Sequence, residues 1–369
     1  MVWSHGAAFL VPPCGPTYTP PDPARPRPPD TLFSKAAPLP MRILFITSNR
    51  IGDGVLSTGL LAGLMERYPQ ARFWVACGPL PAPLFRHAPR VEKVIILRKA
   101  PRAGHWRKLL RETMFRRFEV VVDLRGSATA FVLWTRKRHV LRANHTMHRV
   151  LHNASVANFD PAPWPVVWPG EAARARAKEI IPDGRRVLAI GPTAAWARKM
   201  WPLERHAELI PRLIGAGGPL DGAHVMLALG PGELEKVQPI LDVIPAGKLI
   251  ELSGEDREEE MNITAACFER IELYIGNDSG LMHLAAAAGA PTLGMFGPTA
   301  DTRYDPWGTH TAMVRGPRSH EQLLADLGAG FAGENAMQDL TVDRVYDAAL
   351  ALLERVRADK THSTDEANA

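Results

Sequence analysis

The chain has 369 residues, of which 46% are hydrophobic and 22% are charged, and its formal net charge at pH 7 is +5. These values are those of an ordinary soluble globular protein, and the length allows two domains. No uninterrupted apolar stretch approaches the roughly 20 residues that span a bilayer, which argues against a transmembrane helix. The three cysteines, Cys14, Cys77 and Cys267, show neither metal-ligand nor disulfide spacing, so a reducing cytoplasm is the simplest compartment.

The first 40 residues differ in composition from the rest. They contain 11 of the 33 prolines, and such a segment does not form a core but favours solvated, polyproline-like conformers. No cationic start precedes the weak apolar patch at 7–11, which argues against a signal peptide. We therefore predict a disordered extension over residues 1–40. Two alternatives stay open: a proline-rich ligand for another protein, and a true start at Met41, where a strand begins.

The first strand–loop–helix unit has a carboxylate at the carboxyl end of a strand. Residues 43–47 form a predicted strand, apolar residues from 55 to 68 follow helical spacing, and 73–77 form the next predicted strand. Asp53 lies in the loop between them, flanked by two glycines. It is either a general base that accepts the proton of a substrate hydroxyl or a simple helix N-cap, and this segment alone leaves both open.

Two more strands are predicted at 94–97 and 119–124, and the segment around them is strongly basic. Between residues 86 and 149 the chain has 17 Lys and Arg against four acidic residues. This excess predicts an anionic partner, namely a phosphorylated glycolipid, an anionic membrane or a nucleic acid, or else it is a solvated basic face without a partner. Nucleic acid is disfavoured because no recognised DNA- or RNA-binding motif accompanies the charge. The proline-rich segment 159–165 is predicted to link two domains.

A second series of strands and helices begins after this linker. Residues 187–190 form a predicted strand, which is followed by the polar loop GPTAAWARKMWP, an amphipathic helix over 204–214 and a strand at 225–229. Lys199 lies in the loop, again at the carboxyl end of a strand. Its ammonium group either balances the charge of a diphosphate leaving group or belongs to an ordinary surface lysine beside a buried tryptophan.

The stretch 273–299 carries the most informative pattern. An apolar run at 273–275 predicts a buried strand, the cluster GNDSG predicts a turn, 281–288 a helix and 292–296 the next strand. Such a unit belongs in a parallel sheet, where ligands bind at the carboxyl ends of the strands. The N-terminus of the helix is therefore suited to a phosphate or diphosphate without a metal ion.

The polar groups of this turn fit two interpretations. Gly280 would let a ligand approach the backbone closely, Ser279 can donate a hydroxyl group, and His283 lies one turn into the helix. Alternatively, Asp278 or Ser279 is merely the N-cap of the helix, and His283 is a satisfied, half-buried histidine.

The C-terminal end contains a strong helix signal. Thr341 suits the N-cap, and apolar residues recur on one face, which predicts a helix over 341–356. The polar residues 358–369 are predicted to be a disordered tail. The Gly-rich stretch 327–333 is predicted to be a flexible loop.

Three of these loops together resemble a known enzyme family. The motifs are GDG at 52–54, K-x-W-P at 199–202 and NDSGLMHLAAA at 277–287. They are similar to those of the glycosyltransferase family that contains the bacterial ADP-heptose:lipopolysaccharide heptosyltransferases, family 9 in the usual sequence classification. The resemblance covers roughly residues 41–356 and keeps the order and the spacing of the motifs.

The resemblance implies an α/β structure with the GT-B fold, in which two Rossmann-like domains face each other across a cleft. Residues 41–165 would form the acceptor domain and 166–340 the nucleotide-sugar donor domain. The helix at 341–357 would pack back on the first domain, and the disordered tail would follow over 358–369.

The resemblance also implies roles for individual residues. The family's general base corresponds to Asp53, and its conserved lysine corresponds to Lys199. The donor-binding set D-[ST]-G-x-x-H and an acidic nucleotide contact correspond to Asp278, Ser279, Gly280, His283 and Glu233.

Two further assignments rest on fewer features. Thr193 is a weaker match for donor binding, because alanines follow it where some relatives have hydroxyl groups. The basic excess supplies the candidate acceptor-binding residues, which are Arg98, Lys99 and Arg125.

The predicted function is inverting, metal-independent transfer of a sugar, in the simplest case a heptose from ADP-heptose, to a lipopolysaccharide core or related glycolipid. No cofactor is expected beyond the nucleotide-sugar substrate. The expected partners are this donor, an anionic glycolipid acceptor and the inner-leaflet membrane surface, with no nucleic acid. Surface charge would hold the cytoplasmic enzyme at the inner face of the membrane. Two alternatives remain open: a sugar-nucleotide epimerase on the same fold, and a degenerate, non-catalytic nucleotide-sugar binding protein.

Overall fold

The computed structural model describes residues 41–144, 146–252, 259–328 and 336–368. The predicted extension at 1–40 and most of the predicted loop at 327–333 therefore lie outside the described residues.

Two parallel sheets form the framework. The first has the strand order β3-β2-β1-β4-β5 and consists of β1 (Arg42–Ile46), β2 (Arg72–Cys77), β3 (Val91–Ile96), β4 (Phe118–Asp123) and β5 (Thr135–Val140). The second has the order β11-β10-β9-β6-β7-β8 and consists of β6 (Val187–Gly191), β7 (His224–Leu227), β8 (Leu249–Ile250), β9 (Leu273–Asn277), β10 (Thr292–Phe296) and β11 (Thr311–Arg315).

Helices connect these strands and cover the sheets. In chain order they are α1 (Ile51–Arg67), α2 (Gly104–Thr113), α3 (Thr129–Val132), α4 (Arg149–Ser155), α5 (Glu171–Ile180), α6 (Leu203–Ile214), α7 (Gln238–Leu241), α8 (Glu260–Phe268), α9 (Gly280–Ala287), α10 (Asp301–Tyr304), α11 (His320–Gly328) and α12 (Val342–Asn368). No described helix combines the length and the apolar character that a bilayer crossing requires.

Both sheets have the doubly wound arrangement that the sequence pattern predicts. In each, the strand order runs outward in one direction and then reverses beside the first strand, between β1 and β4 and between β6 and β9. The central strands are buried on both faces, which explains their continuous apolar runs. Ligands bind such sheets at the carboxyl ends of the strands beside the reversal. The candidate residues Asp53, Lys199 and Asp278 follow β1, β6 and β9, so the topology brings them to these two points.

The largest apolar cluster contains side chains from both sheets. Phe45 of β1, Phe73 of β2 and Tyr274 of β9 are fully buried within it. Helix α1 packs on α9, so these two helices form a contact between the half of the chain that carries the first sheet and the half that carries the second. The predicted domain division between residues 165 and 166 stays a prediction.

The last helix differs from its prediction. The principal contacts of α12 are with α6, β10 and β11 of the second sheet, and Val345, Ala349 and Leu352 are buried in one cluster with Leu209 of α6. The prediction that this helix packs back on the first domain is therefore wrong. The reason is that the single apolar stripe of α12 is already used in covering α6 and the edge of the second sheet.

Helix α12 also extends to Asn368, where the polar composition predicts a disordered tail from residue 358. Residues 358–368 contain neither proline nor glycine. Polarity alone does not prevent a helix from continuing, because many polar residues have good helix propensity. The prediction of disorder is thus wrong for residues 358–368.

Candidate active site

Asp53 lies in the first turn of α1, just beyond the carboxyl end of β1, so the prediction that it lies in the loop before this helix is wrong. The N-cap of this helix is Arg50, with an extended backbone, so Asp53 is not the capping residue that one interpretation of the sequence proposed. The hydroxyl of Ser48 donates to Asp53 Oδ2 over 3.4 Å, and Nε of Arg149 lies 3.4 Å from Asp53 Oδ1. The carboxylate is 19% exposed, so a substrate hydroxyl can reach it.

Arg149 is a site residue that the sequence did not single out. It is the first residue of α4, and its Nε atom is buried without a hydrogen-bond partner among the described residues. The guanidinium group places a fixed positive charge beside the carboxylate of Asp53. In the sequence this arginine is only one of the basic residues between 86 and 149, because 96 residues separate it from Asp53.

His148, the N-cap of α4, joins the start of this helix to the second half of the chain. Its Nδ1 atom accepts a hydrogen bond from the backbone N–H of Val150 over 3.2 Å, so Nε2 carries the proton and donates to the carbonyl oxygen of Asp305 over 3.1 Å. The ring stacks on Trp307 with 4.6 Å between centroids. Burial lowers the pKa of His148 to about 4, so the ring is neutral at pH 7.

Lys199 and Asp278 form an ion pair at the switch point of the second sheet. The Nζ atom of Lys199 lies 2.6 Å from Oδ2 of Asp278, and the two side chains are 22% and 7% exposed. The ammonium group also lies 5.5 Å from the ring centroid of Trp196, whose side chain is 60% exposed. An ammonium group has three donors, so this pairing leaves Lys199 able to bind an anionic oxygen as well.

Asn277 holds the loops around this ion pair together. Its Oδ1 atom accepts from the backbone N–H of Trp201 over 2.9 Å, and its Nδ2 atom donates to the carbonyl oxygen of Pro192 over 2.8 Å. The side chain is fully buried. One asparagine thus fixes the loop after β6, which carries Lys199, against the end of β9, which carries Asp278.

The N-terminus of α9 opens beside this pair. Ser279 is the N-cap, and its side chain accepts from the backbone N–H of Met282 over 3.4 Å. His283 Nε2 lies 4.0 Å from Asp278 Oδ1, and its Nδ1 atom is buried without a hydrogen-bond partner among the described residues. Burial lowers the pKa of His283, although Asp278 and Asp53 oppose this shift. The helix end therefore offers backbone N–H groups and a neutral imidazole.

The N-termini of α1 and α9 are in direct contact. A Cβ atom added to Gly280 would lie 2.8 Å from Cβ of Ile51 and 3.0 Å from the backbone nitrogen of Gly52, and one added to Gly52 would lie 3.0 Å from Cδ2 of His283. Only glycine permits this approach at position 280. The first turn of α1, which carries Asp53, and the N-terminus of α9, which is suited to a diphosphate, consequently form one site.

Thr193 and Glu233 are also close together. The hydroxyl of Thr193 donates to Glu233 Oε2 over 2.7 Å, and the same oxygen accepts from the backbone N–H of Gly230 over 2.8 Å. These residues follow β6 and β7, adjacent strands of the second sheet. The arrangement orients the carboxylate of Glu233, whose other oxygen remains a possible acceptor for ligand hydroxyl groups.

The three candidate acceptor-binding residues separate into two groups. Arg125 donates to Oδ1 of Asn49 over 3.3 Å, so it lies beside the loop between β1 and α1, at a point four residues before Asp53 in sequence. Burial lowers the pKa of this arginine, and the nearby carboxylate of Asp123 opposes the shift. Arg98 and Lys99 are exposed and follow β3, two strands away from β1. The structure thus places Arg125 at the site, whereas Arg98 and Lys99 lie farther away, beyond the end of β3.

The site combines a carboxylate in the first half with positive groups in the second. Such an arrangement can remove a proton from one substrate and stabilise negative charge that develops on another. Among the described residues, no group of three or more His, Cys, Asp or Glu side chains is arranged to hold a metal ion.

The sequence matches the family model described as "Glycosyltransferase family 9 (heptosyltransferase)" over residues 125–326, which is more than half of the chain. The chain belongs to glycosyltransferase family 9. This family 9 chain is therefore a glycosyltransferase, and both the predicted family and the predicted enzyme class are confirmed.

Three relatives illustrate the likeness. The family 9 chain is 25% identical to lipopolysaccharide heptosyltransferase 2 of Salmonella typhimurium, and the match covers 85% of this chain and 99% of that protein. It is similar in structure to the family 9 glycosyltransferase of Veillonella parvula, with a TM-score of 0.69, 20% identity and coverage of 85% and 97%. It is also similar to the E. coli ADP-heptose lipopolysaccharide heptosyltransferase II, with a TM-score of 0.65, 21% identity and coverage of 86% and 100%. The predicted GT-B class, with two Rossmann-like sheets, is confirmed.

Proposed function

We propose that this glycosyltransferase moves a heptose from ADP-heptose to a sugar of the lipopolysaccharide core or a related glycolipid, with inversion at the anomeric carbon and without a metal ion. The observation that carries the proposal is the contact between the first turn of α1, which carries Asp53, and the N-terminus of α9, through Gly52 and Gly280. It supports a reaction in which a general base from the first half acts on a donor held by the second. The names of the relatives from Salmonella typhimurium and E. coli support the choice of heptose and of ADP.

The transfer step then follows from the position of Asp53. One carboxylate oxygen of Asp53 accepts the proton of an acceptor hydroxyl group, and the oxygen of that hydroxyl group attacks the anomeric carbon of the donor sugar. The bond between the anomeric carbon and the diphosphate oxygen breaks, and the electron pair leaves with ADP. Attack from the face opposite the leaving diphosphate inverts the configuration. The guanidinium of Arg149, 3.4 Å from the carboxylate, orients Asp53 toward the acceptor.

Positive groups of the second half stabilise the departing diphosphate. The ammonium of Lys199 binds a phosphate oxygen while it keeps its ion pair with Asp278, and the backbone N–H groups at the start of α9 bind others. Nδ1 of His283, buried without a partner among the described residues, supplies a further polar contact. These groups supply the positive charge that a divalent ion supplies in other transferases, which is why we propose metal-independent transfer.

Thr193 and Glu233 are assigned to the nucleoside. Their mutual hydrogen bond of 2.7 Å leaves the second oxygen of Glu233 for a ribose hydroxyl, the role that acidic residues have in other Rossmann-like sheets. In this proposal the donor domain is 166–340, and the acceptor domain is 41–165. Arg125, supported at a distance by Arg98 and Lys99, binds the phosphates or acidic sugars of the acceptor at the inner face of the cytoplasmic membrane.

Calorimetric titration with ADP, GDP and UDP, in the presence of excess chelator, tests the donor assignment. ADP is expected to bind at least about tenfold more tightly than the other two, a difference that a few nucleoside hydrogen bonds produce. Glu233→Gln is expected to weaken ADP binding, whereas Glu235→Gln, a change at an exposed neighbour, leaves it unaltered. Selective binding of GDP or UDP, or binding of ADP only with a divalent ion, would contradict the assignment.

A further inference from the structure

Five large apolar side chains are exposed along one short stretch of the first half. We call them the aromatic patch, and their exposed fractions are 52% for Met114, 87% for Phe115, 65% for Phe131, 70% for Val132 and 73% for Trp134. Together they make up most of the large exposed apolar side chains that the described residues contain. Isolated exposed apolar residues are common, but a contiguous group of this size marks an interaction surface.

The backbone brings these residues to one corner of the first sheet. The N–H of Phe118 donates to the carbonyl oxygen of Trp134 over 3.2 Å, and Phe118 is in register with Thr135. Phe115 and Trp134 therefore precede neighbouring strands at the same end. The guanidinium of Arg138 lies 5.5 Å from the ring centroid of Phe131 and donates to the carbonyl oxygen of Leu133, which holds α3 against the edge strand β5.

Positive charge surrounds the aromatic patch. Residues 104–140 contain nine Lys and Arg against three acidic residues, and one of these nine, Arg125, is placed at the other end of the strands, beside Asn49. The three acidic residues are all engaged: Glu112 with Lys93 at 2.8 Å, Glu119 with Arg117 at 3.6 Å, and the buried Asp123 with backbone N–H groups. The outward field of this corner is therefore strongly positive.

Helix α2 extends this positive charge away from the aromatic patch. Arg107 and Arg111 are exposed and lie four residues apart on α2, so they share one face of this helix, and Phe115 follows two residues after its end. A pocket of about 330 Å³ is lined by Gly104, Arg107, Lys108 and Arg111. Its guanidinium groups are suited to phosphate oxygens.

We propose that the aromatic patch inserts into the headgroup region of an anionic bilayer, while Arg107 and Arg111 bind lipid phosphates. Aromatic rings beside arginines are the combination that lies at the boundary between headgroups and acyl chains. A second copy of the chain is a poorer occupant, because a symmetric contact would bring two strongly basic surfaces together. The inference rests on the proposed function, since the acceptor there is a membrane glycolipid.

The position of the patch suits that acceptor. The aromatic patch lies at the amino ends of β4 and β5, whereas Asp53 lies just beyond the carboxyl end of β1, which is parallel to β4. A strand of six residues such as β4 has a length of about 20 Å. Docking through the patch would therefore hold the site above the headgroups, at the level of the sugars that a glycolipid projects from the membrane.

Co-sedimentation with vesicles tests this inference. We expect the wild-type protein to bind phosphatidylcholine vesicles with about one-third phosphatidylglycerol, but to bind pure phosphatidylcholine weakly. The triple variant Phe115→Ser/Phe131→Ser/Trp134→Ser should lose at least about tenfold in binding to the anionic vesicles. The double variant Arg107→Gln/Arg111→Gln should lose binding mainly at low salt. The control Leu80→Ser/Leu324→Ser, which removes exposed apolar side chains elsewhere, should bind as the wild type does.

Two readouts keep this inference separate from the proposed function. ADP binding and transfer to a soluble, deacylated acceptor should be equal in the triple variant and the wild type, which also shows that the variant is folded. A triple variant that still binds anionic vesicles would overturn the inference, as would a patch that mediates self-association in sedimentation equilibrium. Failure of the wild type to modify the soluble acceptor would instead count against the proposed function.

Discussion

Replacement of Asp53 by asparagine is expected to lower kcat for sugar transfer by about 10²–10⁴-fold, the range that a positioned general base contributes. Asparagine keeps the shape of the side chain, but its amide does not accept the proton of the acceptor hydroxyl. Asp53 contacts Ser48 and Arg149 rather than the pair of Lys199 and Asp278, so the affinity for ADP should change little. Initial rates of ADP release and calorimetric titration of the variant with ADP measure the two effects.

The matched control for this variant is Glu66→Gln. Glu66 is an exposed carboxylate on the same helix, near its C-terminal end, so the control removes one negative charge from α1 without approaching the site. It should retain the wild-type rate and affinity. An Asp53→Asn variant with the wild-type rate would remove the proposed general base, and a large loss of ADP affinity would show that Asp53 acts on the donor instead.

Replacement of Lys199 by methionine is expected to weaken ADP binding and to lower kcat by about 10²–10³-fold, the effect of removing one preorganised electrostatic contact. Among the described residues, Lys199 is the only one whose side chain forms an ion pair shorter than 3 Å with the buried Asp278. Its loss should also reduce the free energy of unfolding by about 1–3 kcal/mol, because Asp278 would stay buried without its partner. Thermal denaturation and steady-state kinetics measure the two effects.

A second substitution separates the structural role of Lys199 from its chemical role. In Lys199→Met/Asp278→Asn the unpaired carboxylate is gone, so thermal stability should recover toward the wild-type value while transfer stays slow. Lys199→Arg should restore part of the donor affinity, since it keeps a cation at the site. Recovery of the full rate in the double variant would mean that Lys199 only neutralises Asp278 and does not act on the leaving diphosphate.

The strands and the polar segments of the site can be predicted from local patterns in the sequence. The apolar runs that predict β1, β6, β9 and β10 are continuous because these strands are buried on both faces. The glycine and polar clusters after them mark the ends of these strands, and Asp53, Lys199 and Asp278 lie in these clusters. Such signals depend only on neighbouring residues, so the sequence alone is enough to find them.

The contacts between these segments cannot be predicted in the same way. Asp53 and Arg149 are 96 residues apart, and Lys199 and Asp278 are 79 residues apart. Their meeting depends on the strand order within each sheet and on the packing of α1 against α9. No periodicity in one segment encodes that order. In the sequence, nothing distinguishes Arg149 from the other arginines of the basic segment. Only the structure shows that its Nε atom lies beside Asp53.

The packing partner of helix α12 cannot be predicted from the sequence either. Its apolar stripe predicts that one face is buried, but not which surface covers it. In the structure the stripe packs with Leu209 and Leu213 of α6, although the family resemblance suggested the first domain. The tail beyond residue 358 was misjudged for a different reason, because polar composition was taken as a sign of disorder in a segment without helix-breaking residues.

The most direct test of the central claim is a single transfer reaction under chelation. Purified wild-type protein is incubated with ADP-heptose and a lipopolysaccharide core acceptor in excess EDTA, and the product is analysed by mass spectrometry and by NMR of its anomeric signal. We predict one heptose added for each ADP released, with the anomeric configuration opposite to that of the donor. Retained configuration, dependence on a divalent ion, or alteration of the donor sugar without a modified acceptor would contradict the account.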